Sequence, residues 1–197
     1  MSTADRQAAL RAALIDIAER RIAKGGLAAL KARDLAKEAG CAVGAIYLHF
    51  PDLDALVFAV QARTLDLLDA AVSAAAGQGS DPAGQMLALS LAYLDWAAAH
   101  RPRWAALFEH RLPPDATIPE SYRDQRARLF RHVEAPLAAL MPGAPAEDRA
   151  ALARSIFAAV HGIVSLGLDE KLEETPLPAL RAQLTAVVLA LAKGIAR

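Results

Sequence analysis

Cysteine is almost absent from this chain of 197 residues, since Cys41 is the only one. A single cysteine excludes an intramolecular disulfide framework and suits a reducing compartment. Aromatic residues are scarce as well, at 5%, although 55% of the sequence is hydrophobic. No run alternates Val, Ile and Thr as a β-strand would, and Ala and Leu fill most apolar positions, which favours helices. We therefore expect an all-α protein.

Net charge is also lacking, because 22 Lys and Arg residues balance 22 Asp and Glu residues. Any binding to nucleic acid must then come from a local basic edge and from dimerisation, not from overall attraction. The longest uncharged stretch, residues 155–168, has 14 residues, which suits a buried helix better than a membrane span. The N-terminus lacks the hydrophobic region of a signal peptide. These features predict a cytoplasmic protein without a membrane segment.

Residues 31–50 carry the most informative pattern in the chain. An apolar helical face ends at Gly40, and a short second helix runs from Val43 into Tyr47-Leu48-His49-Phe50. Two short helices joined by a tight turn containing Gly are typical of a helix-turn-helix, whose second helix enters the major groove of DNA. An ordinary helical hairpin is the alternative interpretation. The Tyr-x-His-Phe ending, followed by the start of a long helix, favours DNA binding.

The same segment closely resembles the DNA-binding domain of the TetR family of transcriptional regulators. That family has a stretch like Asp-Ile-Ala-x-x-Ala-Gly-Val-Ser-x-Gly-x-Leu-Tyr-x-His-Phe. The matching positions are Asp34-Leu35-Ala36, Ala39-Gly40, Gly44, Ile46-Tyr47, His49-Phe50 and, beyond them, Leu56. The chain departs from the family at Ala42, where a helix-capping Ser is usual, and at Leu53, where a phosphate-binding Lys is usual. Val43 and Ala45 also replace residues that are commonly polar.

The resemblance implies two domains. Residues 6–68 would form an N-terminal three-helix DNA-binding domain, with the helix-turn-helix at about 31–50. A long helix would join it to a C-terminal helical ligand-binding and dimerisation bundle, residues 80–197. The residues expected to contact DNA are Lys31, Arg33, Lys37, Val43, Gly44, Ala45, Tyr47, Leu48 and His49. Tyr47 and His49 are the expected polar contacts, mainly to phosphates, while Val43 and Ala45 would touch thymine methyl groups.

Apolar periodicity and the Gly and Pro breaks predict the helix positions. The predicted helices cover about residues 6–24, the two short helices of 31–50, then 52–76, 83–100, a short helix up to 108, 120–140, 146–168 and 177–196. The last two are apolar around much of their circumference, which predicts burial on more than one side. A second copy of the chain, completing a four-helix bundle, would supply that burial. Central positions in a monomeric bundle are the alternative.

The residues expected at the dimer interface are Ile156, Val160, Ile163, Leu180, Leu184, Val187, Val188 and Leu191. Within the same region, Phe157-x-x-x-His161-Gly162 partly resembles the Trp-His-Gly segment of one type of TetR C-terminal domain. The family resemblance also implies a cavity for a small-molecule effector. Its expected lining is Tyr93, Trp96, Trp104, Phe108, Phe130, Phe157 and His161, which would suit a largely apolar ligand. A solid aromatic core and a packed histidine are the alternatives.

Signatures of catalysis are missing from the sequence. No pair of histidines has metal-ligand spacing, and neither a phosphate-binding glycine loop nor a nucleophile elbow appears. We therefore expect no catalytic residue, metal or cofactor, and we interpret Cys41 as a small filler at a helix corner. The predicted function is a homodimeric, ligand-responsive regulator, most simply a repressor released from its operator by a small apolar molecule. A helical adaptor that has lost DNA binding and an all-helical enzyme are the alternatives.

Overall fold

The structure is a computed structural model, and it describes residues 2–114, 116–171 and 173–196. Those residues form α-helices and one 3-10 turn, Leu27–Ala29, with no β-strand among them. The helices are α1 (Thr3–Gly25), α2 (Ala32–Ala39), α3 (Val43–His49), α4 (Leu53–Ala75), α5 (Pro82–Ala99), α6 (Arg101–Glu109), α7 (Glu120–Leu140), α8 (Ala146–Leu168) and α9 (Leu177–Ile195). The prediction of an all-α fold is confirmed.

Helix α1 begins three residues earlier than predicted because its first turn is capped. The Ser2 hydroxyl accepts a hydrogen bond from the Asp5 backbone N–H at 3.1 Å, and the Ser2 N–H donates to the Asp5 carboxylate at 2.8 Å. This reciprocal capping box satisfies backbone N–H groups that would otherwise lack partners. The same backbone hydrogen bond from Ser2 is the main reason that the pKa of Asp5 lies below its usual value.

The helices divide into two compact units, and the first comprises the chain up to Asp66 together with His100–Arg123. Its apolar core is built from α1, α2, α3 and the first half of α4, together with Ala106 of α6. The largest fully buried side chains of this unit are Leu14, Ile22, Leu35, Ile46, Leu56, Val60 and the polar Gln61. A core shared by these helices holds the helix-turn-helix in place.

Segment 100–123 was expected in the C-terminal domain, residues 80–197, but its contacts lie with the first unit. The buried Gln61 side chain of α4 donates a 2.6 Å hydrogen bond to the Ala106 carbonyl of α6. At the start of α6, Arg103 forms an ion pair with Glu19 of α1 at 3.1 Å. Sequence periodicity shows that a helix has an apolar side, but it does not show which neighbour covers that side.

The second unit comprises Leu67–Ala99 and the chain from Asp124 onwards. Helices α5, α8 and α9 pack against one another in it. The fully buried Leu94, Val164 and Leu184 lie on these three helices. Gly167 permits the close approach of α8 to α9, because a Cβ added there would lie 2.4 Å from a methyl carbon of Leu180.

By length and composition alone, α8 and α9 are apolar enough to cross a membrane, which the shorter uncharged stretch 155–168 did not suggest. Only 22% of the most apolar window of each helix is buried within the chain. Both helices therefore keep apolar surface that the rest of the second unit leaves uncovered. Apolar helices with one uncovered side are equally what a subunit interface requires, so their composition does not by itself indicate a membrane location.

Candidate nucleic-acid interface and effector site

The turn between α2 and α3 depends on a glycine. Gly40 adopts a left-handed conformation, with φ of 67° and ψ of 31°, which costs a residue with a side chain more than it costs glycine. The following N–H, that of Cys41, donates back to the Ala36 carbonyl at 3.0 Å. Helix α3 then begins at Val43 without a side-chain cap, because Ala42 has no hydroxyl to offer. The Gly40 turn thus sets the direction in which α3 leaves α2.

One side of α3 is anchored in the core of the first unit. Ile46 is completely buried and Phe50, directly after the helix, is 2% exposed. The Arg11 guanidinium of α1 lies 5.1 Å from the centre of the Phe50 ring, a distance suited to a cation–π interaction. Because one side of a two-turn helix is held this firmly, its opposite side must face outwards.

We call that outward side, formed by Val43, Gly44, Tyr47 and Leu48, the reading face. Residues four apart lie on the same side of a helix, and these four residues form two such pairs. Val43 is 37% exposed, Tyr47 is 47% exposed and Leu48 is 79% exposed. A Cβ built on Gly44 meets nothing within 4 Å among the described residues. The fold of the single chain therefore does not require glycine at position 44.

Ala45 and His49 were expected to contact DNA, but they are set back from the reading face. Both are only partly exposed. The Nε2 atom of His49 is buried and has no hydrogen-bond partner in the part of the chain that the structure describes. That atom cannot reach a phosphate in this conformation, and the exposed polar side chain of the reading face is Tyr47.

Cationic residues lie on α2 and directly before it, and α2 packs beside α3. Lys31, Arg33 and Lys37 are exposed, and within the described ranges no ion pair involves them. The acidic residues of α2 are already paired with α1, since Glu38 lies 3.0 Å from both Arg20 and Arg21. The hydrogen bond from Arg20 is the main reason that the pKa of Glu38 lies below its usual value. Because α1 neutralises these acids, positive charge remains beside α3.

The seven aromatic and histidine side chains expected to line one cavity fall into two groups. Trp104 and Phe108 belong to the first unit, where their ring centres lie 5.6 Å apart. The other five belong to the second unit: Tyr93, Trp96, Phe130, Phe157 and His161. The physical reason is that α6, which carries Trp104 and Phe108, packs with α1 and α4. Only the second group can contribute to a site inside the second unit.

Within the second unit, Phe157 lies at the centre of a ring cluster. Its ring meets Tyr93 and Phe130 edge to face at 5.6 and 5.4 Å, and it stacks on His161 at 5.7 Å. The Tyr93 hydroxyl and His161 Nδ1 are hydrogen-bonded at 2.8 Å. Burial lowers the pKa of His161, because it disfavours the imidazolium ion. The cluster therefore combines an apolar setting with one neutral hydroxyl–imidazole pair.

Five of the eight residues expected at a dimer interface are already buried inside the single chain. Ile156, Val160, Leu180, Leu184 and Val188 are at most 6% exposed, so they pack the core of the second unit and have little surface left for a partner. Ile163 and Leu191 are partly exposed, and Val187 is 37% exposed. Periodicity identified the apolar helices correctly, but these five side chains face the interior of the chain.

The surface that α8 and α9 leave uncovered includes many small residues, beside the larger exposed Leu166, Leu177, Val187 and Leu189. Ala158, Ala159 and Leu166 on α8, together with Ala182 and Ala186 on α9, are exposed. An open groove of about 400 Å³ lies along this surface. Gly162 lines it, and a Cβ added there would meet nothing within 4 Å in the described chain. The repeat of Ala182, Ala186 and Ala190 at intervals of four was the sequence signal for this second face.

A serine, a histidine and an aspartate come together on α4 and α7, but not as a nucleophilic triad. Both Ser73 and Asp69 approach the same nitrogen of His132, Nε2, at 3.2 and 2.9 Å. A catalytic triad requires the carboxylate on the other ring nitrogen. Among the described residues, no group of three or more His, Cys, Asp or Glu side chains is placed to hold a metal ion.

A helix-turn-helix with an outward second helix, flanked by uncompensated cations and joined to a helical second unit, defines a DNA-binding transcriptional regulator. Two family profiles match the chain, namely bacterial regulatory proteins of the tetR family at residues 14–60 and the tetracyclin repressor-like C-terminal domain at residues 86–191. The chain belongs to the TetR family of transcriptional regulators. No curated protein matches its sequence.

Solved structures of similar fold include a protein of unknown function from Rhodococcus sp. RHA1, 26% identical, with a TM-score of 0.75 and coverage of 95% of this chain and 96% of that one. A TetR-family regulator from Streptomyces coelicolor is 19% identical, with a TM-score of 0.62 and coverage of 98% and 84%. The regulator FadR from Bacillus subtilis, solved in complex with stearoyl-CoA, is 15% identical, with a TM-score of 0.67 and coverage of 91% and 96%. At such identities, the last two show the fold alone.

The lowered pKa of His161 predicts a dependence of stability on pH. Below the ordinary pKa of 6.5, the unfolded chain binds a proton at this position more readily than the folded chain does. Stability from neutral His161 is therefore fully present above pH 6.5 and is lost as the pH falls below that value. We expect the free energy of unfolding, measured by urea titration at pH 7.5 and 5.5, to fall less in His161→Phe than in the wild type. An equal fall in both proteins would contradict this assignment.

Proposed function

We propose that the protein binds operator DNA as a homodimer, with α3 of each chain in a major groove, and that it acts as a repressor. The observation that carries this proposal is the reading face flanked by Lys31, Arg33 and Lys37, exposed cations that no acid of α2 neutralises. Phosphate contacts from such cations position a protein on DNA, while side chains in the groove read the bases. Binding of this kind occurs in the cytoplasm, where we place the protein.

The proposed effector site is the ring cluster of the second unit, around Tyr93, Phe157 and His161. A cluster of apolar rings with few polar groups suits a small molecule that is mainly apolar and carries one hydrogen-bonding group. The Bacillus subtilis regulator of similar fold was solved with stearoyl-CoA, whose acyl chain has the same apolar character. Such an effector releases DNA only if it binds the DNA-free conformation more tightly than the DNA-bound one.

The proposed dimer interface is the small-residue surface of α8 and α9. Small side chains let two helices approach closely, and Gly162 has open space where a Cβ would be. Two helices from each chain would then form a four-helix bundle. A dimer would also set the distance between the two reading faces, which must match the spacing of the operator half-sites.

A helical adaptor without DNA binding is the second candidate. One observation favours it: apart from the Tyr47 hydroxyl, the side chains of the reading face are apolar. The cations beside that face favour DNA instead, because an apolar protein surface gives uncompensated lysines no partner. The first experiment therefore tests the cations.

Lys37→Ala should weaken binding to every DNA sequence and reduce its dependence on salt. The operator is obtained by selecting binders from random duplexes with the full-length protein, and affinity is then measured by fluorescence anisotropy at several salt concentrations. Loss of one phosphate contact lowers the slope of log K against log salt by about 0.9, so a dimer loses about 2. Lys171→Ala, an equal loss of charge in the second unit, should leave that slope unchanged. Failure to select any duplex would refute DNA binding.

Ala186→Glu should convert the dimer into folded monomers. Ala186 is exposed in the single chain, so glutamate is tolerated there, whereas two copies of that face would bury unpaired carboxylates. Sedimentation equilibrium at micromolar concentration measures the mass, and circular dichroism checks the helix content. Ala127→Glu is the matched control, because Ala127 is an exposed alanine on α7. A wild-type monomer, or a variant that remains dimeric, would exclude this interface.

An effector bound at the ring cluster should raise the thermal midpoint and release DNA over the same concentration range. A panel of apolar compounds that includes stearic acid and stearoyl-CoA supplies the probes. We expect Tyr93→Phe and His161→Ala to raise the concentration needed for release about tenfold while DNA affinity without effector stays the same. Phe108→Ala, which alters an aromatic residue of the first unit, should not change the response. If the concentration needed for release shifts equally in all three variants, the cluster is excluded as the effector site.

A further inference from the structure

The reading face is unusually apolar for a surface that would contact base pairs. Val43, Tyr47 and Leu48 account for three of the nine large hydrophobic side chains exposed in the described chain, although α3 has only seven residues. Leu48 is the most exposed of the nine, at 79%. Burial of so much apolar surface by a partner is favourable, so the face is suited to a ligand with apolar groups at the same positions.

The charges around this face identify the class of partner. Three uncompensated cations, Lys31, Arg33 and Lys37, are exposed at the start of α2 and along it, and α2 packs beside α3. Asp34 and Glu38 are held by Arg21 and Arg20 of α1 at 3.6 and 3.0 Å. The partner must therefore combine an anionic rim with a few apolar points inside. The DNA major groove has this character, since phosphates line its edges and the C5-methyl group of thymine is the apolar group that its base pairs display.

Hydrogen-bond reading of the bases is correspondingly restricted. The bidentate side chains that distinguish guanine and adenine are Arg, Lys, Asn and Gln, and α3 contains none of them. The Nε2 atom of His49 is buried, which leaves the Tyr47 hydroxyl as the accessible polar group of the face. Gly44, between Val43 and Ala45, lets the helix backbone come close to the base edges, because it has no side chain to hold the helix away.

We infer that the reading face recognises C5-methyl groups of pyrimidines in the major groove, through Leu48 and Val43 with the Tyr47 ring beside them. This inference rests on the proposed DNA binding and adds the chemical feature that is read. Thymine carries the methyl group in ordinary DNA, and 5-methylcytosine carries it at the same ring position. Specificity then depends on the methyl group more than on the hydrogen-bonding edge of the base.

The test removes single methyl groups from the selected operator. Each thymine is replaced in turn by deoxyuridine, which changes nothing else in the base, and the affinity of the full-length protein is measured by fluorescence anisotropy at one salt concentration. We expect at least one thymine in each half-site at which loss of the methyl weakens binding about fourfold, as burial of one such group implies. Replacing cytosine by 5-methylcytosine at that position, after a T·A to C·G exchange, should recover about the same factor.

Leu48→Ala links the effect to the protein. Leu48 is so exposed that its truncation leaves the core of the first unit intact. In this variant, the affinity for the thymine duplex divided by the affinity for the uracil duplex should fall towards one at the position that Leu48 contacts. Lys37→Ala is the matched control, because it should weaken both duplexes equally and preserve the ratio. An operator that binds but tolerates uracil at every position would overturn this inference and leave DNA binding standing. If neither Leu48→Ala nor Val43→Ala changes the ratio of the affinities for the thymine and uracil duplexes, the inference is overturned as well.

Discussion

Burial of one side of α3 is the constraint on which the rest of the candidate interface depends. Ile46 and Phe50 lie in the core shared by α1, α2 and α4, and burying two large apolar side chains stabilises that arrangement by about 3–6 kcal/mol. When one side of a two-turn helix is buried in this core, the opposite side is exposed. Val43, Gly44, Tyr47 and Leu48 are exposed for that reason, so the stability of the core and the orientation of the reading face have the same origin.

The same core also determines the charge around the reading face. Because α1 packs against α2, Arg20 and Arg21 are brought within hydrogen-bonding distance of Glu38. Exposed ion pairs of this kind contribute little to stability. Their larger effect is on the surface potential, since they remove negative charge from the edge of a protein whose net charge is zero. A neutral chain thereby acquires a local cationic surface beside α3.

The helices themselves were largely predictable from the sequence. Helices α7 and α8 have the predicted bounds, and the turn at Gly40 was recognised from the residues around it. The assignment of side chains to sites was less predictable. Leu184 and Val188 were expected at a subunit interface, yet they are completely buried within one chain. Trp104 and Phe108 were expected in an effector cavity, yet α6 carries them into the first unit.

The sequence by itself determined the all-α class, the helix-turn-helix and the TetR family, because periodicity, turn glycines and the Tyr-x-His-Phe motif are local features. Only the tertiary structure decided which side of each apolar helix is buried. When a helix is apolar on two sides, local sequence preferences allow either side to be buried, and long-range packing determines which one is. That choice placed Leu180, Leu184 and Val188 of α9 inside the second unit and left Ala182, Ala186 and Ala190 outside. It also set His49 back and left Leu48 as the most exposed apolar group on α3.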